Sequence, residues 1–398
     1  MKYLIILGDG MADYNCGELG GMTPLQYAGT PNMNLLAVKG KTGLVKTVDE
    51  GLPPGSDVAN LSVMGYDPNK YYTGRAPLEA VSMGVKLGAD DIAFRCNLVT
   101  LSEEDSYENK EMVDYSAGEI SSERAAVLIN DLSKHLKCND MSFYPGISYR
   151  HLMVWRGGPH DTILTPPHDI SGKRIGEYLP RGNGGEKILS VMQASNAFLK
   201  NHSENSQPVK ERPANSVWFW GQGKTPSLIS FKEKYNLSGA VISAVDLIKG
   251  IGKAAGMDVI EVEGATGNIH TNFEGKARAT INAFKNGAEF VYLHIEAPDE
   301  AGHQGNTELK VRSIEEIDRK VLGPLFKEME QFGEFRLMLL PDHPTPISVM
   351  THTSDPVPFV IYDSRQEMNN QGMTYCEEAA ARGLFIEKGY KLMDLFLS

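Results

Sequence analysis

The sequence predicts an α/β protein with a mostly parallel sheet covered by helices on both faces, together with a smaller inserted α+β domain. Short apolar runs alternate with helical patterns along most of the chain, which is typical of such a sheet. The runs at 3–7 and 337–340 end abruptly at a glycine or a proline, and acidic or histidine residues follow at once. Because α/β sheets carry their chemistry at the carboxyl ends of their strands, we expect the functional site there.

The main domain is predicted to comprise residues 1–90 and 181–398. Thr30 and Pro31 have the residue types of a helix cap and of a first helical position. A second helix is predicted from Ser56 to Met64, directly after a tight turn. Further along, the pattern predicts strands at 43–48, 216–224, 259–264 and 290–295, helices at 186–200, 244–256 and 309–329, and a polar loop at 202–216.

The inserted domain is predicted at 91–180, where the pattern becomes βαβ-like. Arginine at a strand end can bind phosphate or carboxylate in a bidentate manner, so this domain suits an anionic substrate. The alternative is that Arg150 and His151 are ordinary surface groups on a strand. The candidate substrate-binding residues here are Arg95, Asn97, Arg150, His151, His168 and Asp169.

Acidic and histidine residues follow three of the predicted strands, at spacings that suggest metal coordination. Asp299 and His303 are four residues apart, so they lie on one face if a helical turn begins there. Mixed carboxylate and imidazole ligands suit Mn²⁺ or Zn²⁺, whereas Mg²⁺ prefers oxygen and water. Turn aspartates, a helix cap and surface histidines are the alternative for each group taken alone. The full set of candidates is Asp9, Asp299, His303, Asp342, His343 and His352.

Ser56 stands at the start of a predicted helix. Amide groups and the helix dipole at such a position can hold a phosphoryl group next to the hydroxyl. The simpler role is that the serine caps the helix. Two cations beside the hydroxyl would make it a nucleophile, so phosphoryl transfer is the reaction that this combination fits best.

The composition limits the classes of function. The chain has 398 residues and a formal net charge of −12, which argues against nonspecific binding to nucleic acid. Its four cysteines form no CxxC pair, and we expect them to be reduced thiols. The apolar run before Gly8 is too short for a signal-peptide core or a membrane span. We therefore expect a cytoplasmic protein without nucleic-acid or membrane partners.

A series of short motifs runs along the whole chain: GDGM, PPGSDVANLSVMGYDP, TGRAPLEA, FRCNLVT, YRH, PPHD, GATG, PDEAGH, PDHPTP, THT and DPVPF. Their order resembles the archaeal-type cofactor-independent phosphoglycerate mutases of the alkaline phosphatase superfamily. The resemblance implies an alkaline-phosphatase-like core with a smaller inserted domain. It also implies a 2,3-bisphosphoglycerate-independent interconversion of 3-phosphoglycerate and 2-phosphoglycerate through a phosphoserine intermediate.

By matching positions, the resemblance implies that Ser56 is the nucleophile and that two divalent cations lie beside it, with Mn²⁺ preferred and Zn²⁺ or Mg²⁺ as alternatives. It also makes Arg75 and Lys224 candidate contacts of phosphoglycerate. One cation would be held by Asp9, Ser56, Asp342 and His343, and the other by Asp299, His303 and His352.

Three other functions fit part of the same sequence. A homoserine kinase-type phosphotransferase of the same family would use the same serine and metals with a phosphoryl donor. A phosphomonoesterase or sulfatase would release inorganic product. A noncatalytic metal-stabilised binding module is the alternative outside enzymes, although it would have little use for a complete nucleophile and ligand set.

Overall fold

A computed structural model describes residues 1–205 and 212–398. These residues form two compact units, the first Met1–Tyr72 with Ser227–Ser398 and the second Thr73–Pro226. The second unit thus extends beyond the predicted insert of 91–180 at both ends. The reason is that helix Arg75–Ser82 packs on strand Asp91–Leu101, and strand Ser216–Gly223 pairs with that strand. The predicted polar loop at 202–216 lies partly outside the described residues.

The strands of the described chain, in order, are β1 Lys2–Gly8, β2 Lys41–Val45, β3 Asp91–Leu101, β4 Met112–Asp114, β5 Met141–Tyr144, β6 Arg150–Arg156, β7 Ser216–Gly223, β8 Gly239–Ile242, β9 Asp258–Ile260, β10 Phe290–Ile295, β11 Phe335–Leu340, β12 Val357–Asp363 and β13 Leu384–Ile386. Within the first unit, eight described strands form one sheet in the order β13-β2-β12-β11-β1-β10-β8-β9. Only β12 runs antiparallel to its neighbours in this sheet, among the described strands. The prediction of a mostly parallel sheet is confirmed.

The register of the central strands places their carboxyl ends side by side. β1 lies between β10 and β11 and is parallel to both, with Gly8 opposite Ile295 and Leu7 opposite Leu340. All residues of β10 and β11 are buried, which explains why these strands are mostly apolar in sequence, with His294 and Arg336 as the polar exceptions. The residues that directly follow β1, β10 and β11 therefore lie close together at one edge of the sheet.

Both faces of this sheet are covered, since the consecutive residues Leu4 to Leu7 of β1 point alternately to its two sides and all four are buried. Among the described helices, none is long and apolar enough to cross a membrane. The α-helices of the first unit are Pro24–Tyr27, Pro31–Lys39, Ser56–Val63, Pro68–Tyr71, Phe231–Tyr235, Asp246–Ala254, Phe273–Lys285, Ala297–His303, Thr307–Glu316, Gly323–Glu328, Glu377–Ala380 and Leu392–Leu397.

The second unit has a separate antiparallel sheet. Its described strands follow the order β4-β3-β6-β5, and β7 pairs with the long central strand β3. All pairings among the described strands of this unit are antiparallel, so the βαβ-like interpretation is wrong while the α+β class is right. The helices Arg75–Ser82, Ser122–Leu136 and Gly185–Leu199 belong to this unit. Its apolar core includes Phe94, Leu128 and Trp218.

The predicted helix at 309–329 is interrupted in the structure. Helix Thr307–Glu316 continues into a π-helical segment, Ile317–Leu322, before α-helix resumes at Gly323. The π-helical segment carries Asp318, whose carboxylate accepts the backbone N–H groups of Asn32 at 3.3 Å and Met33 at 2.7 Å. This distant carboxylate therefore caps helix Pro31–Lys39. Thr30 occupies the cap position, but its side chain makes no capping bond among the described residues.

Replacing Asp318 with alanine should lower the free energy of unfolding by about 1–3 kcal/mol, because two helix-start N–H groups lose their acceptor. Replacing Thr30 with valine should change it by less than about 0.5 kcal/mol, because the hydroxyl caps nothing. Urea titration followed by circular dichroism measures both variants. A larger loss for the Thr30 variant than for the Asp318 variant would contradict the assignment.

Candidate metal centre and nucleophile

The three central strands deliver candidate ligands to one edge of the sheet. Asp9 directly follows β1, and Asp299 lies in helix Ala297–His303, just beyond β10. Asp342 and His343 follow β11 after Pro341. Each of these four ligand side chains is buried. The predicted ligands are therefore brought together by the strand order β11-β1-β10.

A first group of candidate ligands surrounds the imidazole of His343. Its Nε2 atom lies 3.5 Å from Asp9 Oδ1 and 3.3 Å from Asp342 Oδ2. The Ser56 hydroxyl oxygen is 3.1 Å from the same nitrogen. Ligand atoms of Asp9, Asp342 and His343 lie within 4.8 Å of one another, close enough to bind one ion.

Ser56 is the first residue of its helix and Gly55 is the cap residue. Its hydroxyl faces His343 and makes no capping bond within the described residues, so the simpler capping role does not apply. The backbone N–H of Val58 is bonded to the Asp57 carboxylate at 2.9 Å. One of the helix-start amides expected to hold a phosphoryl group is therefore already occupied.

A second group comprises Asp299, His303 and His352. His303 Nε2 lies 3.3 Å from Asp299 Oδ2, and His352 Nε2 lies 3.4 Å from Asp299 Oδ1. The two Nε2 atoms are 3.0 Å apart. Each Nδ1 atom faces a backbone carbonyl, that of Met350 for His303 and that of Pro54 for His352. The carbonyls can only accept, so both Nδ1 atoms donate. Once a ring has lost its second proton, its Nε2 lone pair points into the cluster.

His343 contributes to both groups. Its ring centroid is 4.0 Å from that of His352, and ligand atoms of Asp299, His343 and His352 also lie within 4.8 Å of one another. The resemblance assigns His343 to one cation only. The structure instead makes this imidazole the link between the two clusters.

The pKa values of the candidate ligands are shifted because acids and imidazoles are buried close together. Burial, reinforced by the Asp342 and Asp299 carboxylates, raises the pKa of Asp9 well above its usual range. Burial alone would also raise the pKa of Asp299, but the imidazoles of His303 and His352 hold that pKa well below its usual range. For His303, burial opposes protonation, yet the Asp299 carboxylate raises its pKa to about 9. Burial lowers the pKa of His343 to about 4.

These residues fit divalent cations. Asp9 Oδ1 is buried and has no hydrogen-bond partner among the described residues, although buried carboxylate oxygens are normally paired. A cation would satisfy this oxygen and offset the mutual repulsion of the carboxylates. The donor set of carboxylate, imidazole and hydroxyl is one that Mn²⁺ and Zn²⁺ accept.

Several residues that hold this site in place were missed by the sequence predictions. Asn60 Nδ2 donates to Asp342 Oδ2 at 2.7 Å and to the Ser56 carbonyl at 2.8 Å, and the Tyr292 hydroxyl donates to Asn60 Oδ1 at 2.6 Å. His294 Nε2 lies 3.0 Å from Asp9 Oδ2. Asn60 is part of the motif PPGSDVANLSVMGYDP and one helical turn after Ser56, which could have identified it. His294 lies inside an apolar strand and carries no such signal.

The candidate substrate-binding residues all belong to the second unit, and several of them gather around Trp220. Arg95 lies over the Trp220 ring at 4.5 Å and Arg75 at 5.7 Å. The Trp220 indole N–H donates to Asn97 Oδ1 at 3.1 Å, and the His168 ring is 5.1 Å away. The structure thus brings these four residues together.

The arginines are partly engaged by one acid. Glu79 lies 3.1 Å from the Nε atoms of both Arg75 and Arg95. Burial lowers the pKa of Arg95 to about 10, which leaves it charged at neutral pH. Both arginines are held in place before any substrate binds.

The other candidates differ in exposure and contacts. His151 is buried opposite Cys96, on the strand that pairs with β3. Arg150 is exposed and lies 5.3 Å from the Tyr149 ring. Asp169 lies 3.6 Å from His168 Nε2, and Lys224 is exposed at the end of β7. Lys224 is not brought into the Trp220 group by any described contact of its side chain.

Comparison with known proteins identifies the family. A family model described as 2,3-bisphosphoglycerate-independent phosphoglycerate mutase matches residues 37–205. A protein of that name from Methanosarcina acetivorans is 54% identical over 386 residues, which cover 96% of this chain and 95% of the relative. The chain belongs to the 2,3-bisphosphoglycerate-independent phosphoglycerate mutase family.

Further relatives extend this family assignment to the whole chain. The 2,3-bisphosphoglycerate-independent phosphoglycerate mutase 2 of Methanothermobacter thermautotrophicus is 46% identical over 402 residues, covering 100% of this chain and 97% of the relative. A solved structure from Pyrococcus horikoshii has a TM-score of 0.80 and 30% identity, covering 100% of this chain and 96% of that one. The cofactor-independent phosphoglycerate mutase of Thermoplasma acidophilum has a TM-score of 0.62 and 28% identity, covering 100% and 99%. The predicted resemblance and α/β fold are confirmed.

Metal binding to this mutase chain should release protons at pH 7. His303, with its pKa of about 9, carries a proton that a cation must displace. Apparent affinity should therefore rise by up to about tenfold per pH unit between pH 7 and 9 for one displaced proton. Calorimetric titration of the metal-free protein with Mn²⁺, in buffers of different ionisation enthalpy, measures the released protons. An observed enthalpy that is the same in every buffer would contradict this.

Proposed function

We propose that the chain is a 2,3-bisphosphoglycerate-independent phosphoglycerate mutase, which interconverts 3-phosphoglycerate and 2-phosphoglycerate through a phosphoserine at Ser56. The observation that carries the proposal is the position of the Ser56 hydroxyl, 3.1 Å from His343 Nε2 and at the edge of the first ligand group. A serine that is released from capping and directed toward carboxylates and imidazoles has the surroundings of a nucleophile. Membership of the mutase family supports the choice of phosphoglycerate as substrate.

We propose two divalent cations, with Mn²⁺ as the preferred ion. Asp9, Ser56, Asp342 and His343 would hold one, and Asp299, His303 and His352 the other. When bound, such cations lower the effective pKa of the serine hydroxyl and neutralise the charge of a phosphoryl group in transfer. The buried and unpaired Asp9 oxygen supports an ion in the first group.

In the proposed mechanism, Ser56 accepts and returns the phosphoryl group and Asn60 holds the reaction centre in place. The Ser56 hydroxyl gives up its proton as its oxygen attacks the phosphorus of 3-phosphoglycerate, the bond from phosphorus to the glycerate oxygen breaks, and that oxygen gains a proton. The glycerate turns, and its other hydroxyl loses a proton as it attacks the phosphorus of the phosphoserine. The bond from phosphorus to the Ser56 oxygen then breaks, 2-phosphoglycerate is formed, and the serine oxygen takes a proton back. Asn60 restrains this reaction centre, because one amide group bonds both the Ser56 carbonyl and the Asp342 carboxylate.

The second unit supplies candidate groups for binding the glycerate carboxylate and phosphate. Arg75 and Arg95 are pre-positioned by Glu79, so little conformational entropy would be lost on binding an anion. The His151 ring is neutral at pH 7, because burial and the nearby Arg95 lower its pKa to about 3. Its Nδ1 accepts the Gly146 N–H at 3.0 Å, so its Nε2 carries the hydrogen and is a donor.

His151 is therefore better suited to bind a substrate oxygen than to act as a general base. Its Nε2 is buried and has no partner in the described part of the chain. Asp169 is then the proposed residue for moving the glycerate protons. The roles of Arg150, His168 and Lys224 as substrate contacts, the cytoplasmic location, and the lack of nucleic-acid and membrane partners stay predictions.

Replacing Ser56 with alanine should reduce mutase turnover by at least about 10³-fold, because the nucleophile is lost. Metal binding should be largely retained, since the carboxylates and imidazoles stay in place. Ser62 lies buried in the same helix and is the matched control, so Ser62→Ala should keep turnover near that of the unsubstituted protein. Full activity in the Ser56 variant would exclude the phosphoserine mechanism.

The reaction itself is tested by assaying the Mn²⁺-loaded protein on two substrate sets with three readouts. 3-Phosphoglycerate with enolase coupling should give 2-phosphoglycerate, and the same mixture should release little inorganic phosphate. Homoserine with ATP should give no phosphohomoserine. Phosphate release as the main outcome would indicate a phosphomonoesterase, and activity only with homoserine would indicate the phosphotransferase.

A further inference from the structure

A single hydroxyl lies between the two ligand groups. Thr345 Oγ1 donates a hydrogen bond to Asp299 Oδ1 and lies 3.3 Å from His343 Nδ1. The residue is fully buried. Asp299 belongs to the second group of candidate ligands and His343 to both groups, so the contact spans the pair of clusters.

The direction of these hydrogen bonds follows from counting protons. An ionised carboxylate can only accept, so the single Thr345 proton is directed to Asp299. Thr345 can then only accept from His343, which requires the hydrogen of the neutral imidazole to be on Nδ1. The lone pair on His343 Nε2 is therefore directed at Ser56, Asp9 and Asp342.

His294 provides the opposite arrangement in the same site. Its Nε2 faces Asp9 Oδ2 at 3.0 Å, so with the carboxylate ionised Nε2 must carry the hydrogen. Its Nδ1 then accepts from the Ser243 hydroxyl, which lies 3.1 Å away. With Asp9 ionised, these two buried histidines have opposite tautomers, and of the two it is His343 that offers a lone pair to a cation.

The backbone around Thr345 is fixed by a buried ion pair. Lys310 is fully buried, and its ammonium group donates to the Thr345 carbonyl at 2.8 Å and to Asp13 Oδ2 at 2.6 Å. Asp13 also accepts the Ile347 N–H at 3.1 Å. The Thr345 N–H donates to the Ala12 carbonyl at 3.3 Å, so the backbone of the loop after β11 is held on both sides of Thr345.

We propose that Thr345 is a positioning residue, which holds His343 in the tautomer that binds a cation and orients Asp299 for the second metal group. The inference rests on the proposed ligand roles of Asp299 and His343. Hydrogen bonds behind a metal ligand orient it and set its tautomer, and their loss typically weakens metal binding by about 10- to 100-fold.

The test compares Thr345→Val, which keeps the shape and removes the hydroxyl, with Thr345→Ser, which keeps the hydroxyl. Thr280→Val is the matched control, because Thr280 is equally buried and bonds only the Lys276 carbonyl within its own helix among the described contacts. Mn²⁺ and Zn²⁺ affinities are measured by competition with a chelator. The visible spectrum of the Co²⁺-loaded protein reports ligand geometry without any turnover.

We expect Thr345→Val to weaken both metal equivalents by about 10- to 100-fold and to alter the Co²⁺ spectrum. Thr345→Ser and Thr280→Val should bind within about threefold of the unsubstituted protein, since both keep a hydroxyl behind Asp299 and His343. Circular dichroism verifies folding, and Thr345→Ala takes the place of the valine variant if the latter does not fold. Unchanged affinity and spectrum, or weakening of one metal equivalent alone, would overturn the inference. Failure of the unsubstituted protein to bind two metal ions would instead refute the proposed ligand roles.

Discussion

The structure depends on the cost of burying three carboxylates at adjacent strand ends. Asp9, Asp299 and Asp342 are almost completely excluded from water, and unpaired buried charge is strongly unfavourable. The fully buried lysines nearby, Lys276 and Lys310, bond backbone carbonyls and Asp13 rather than these three acids. Divalent cations would compensate the buried negative charge of these carboxylates. The parallel strands β10, β1 and β11 lie side by side, so their carboxyl ends bring the three acids together at the place where the cations would bind.

Neutral polar groups give this charged cluster its geometry. Asn60 links the helix that begins at Ser56 to Asp342, and Thr345 links Asp299 to His343. His294 orients Asp9 from the opposite side. Each of these groups bonds a candidate ligand rather than serving as one, so the site has a supporting layer of hydrogen bonds. Such support keeps catalytic groups close to the geometry that the reaction needs.

In the second unit, the cationic side chains of Arg75 and Arg95 are held in place in the absence of substrate. Glu79 bonds two arginines, and the Trp220 ring packs beside both of them. The pairing keeps the guanidinium groups ordered, while the tryptophan also orients Asn97 through its indole N–H. A prearranged set of donors would bind a small phosphorylated acid with little further ordering.

The sequence by itself determined the central strands, the candidate nucleophile and the candidate ligands, because apolar periodicity and strand-end residues are local properties. The helical spacing of Asp299 and His303 is confirmed for the same reason. Only the tertiary structure decided which distant groups meet. Asp318 caps a helix 285 residues earlier in the chain, Tyr292 reaches Asn60 across 232 residues, and β7 joins the antiparallel sheet instead of the parallel one. Hydrogen bonds between remote segments depend on how the chain packs, and no local pattern records them.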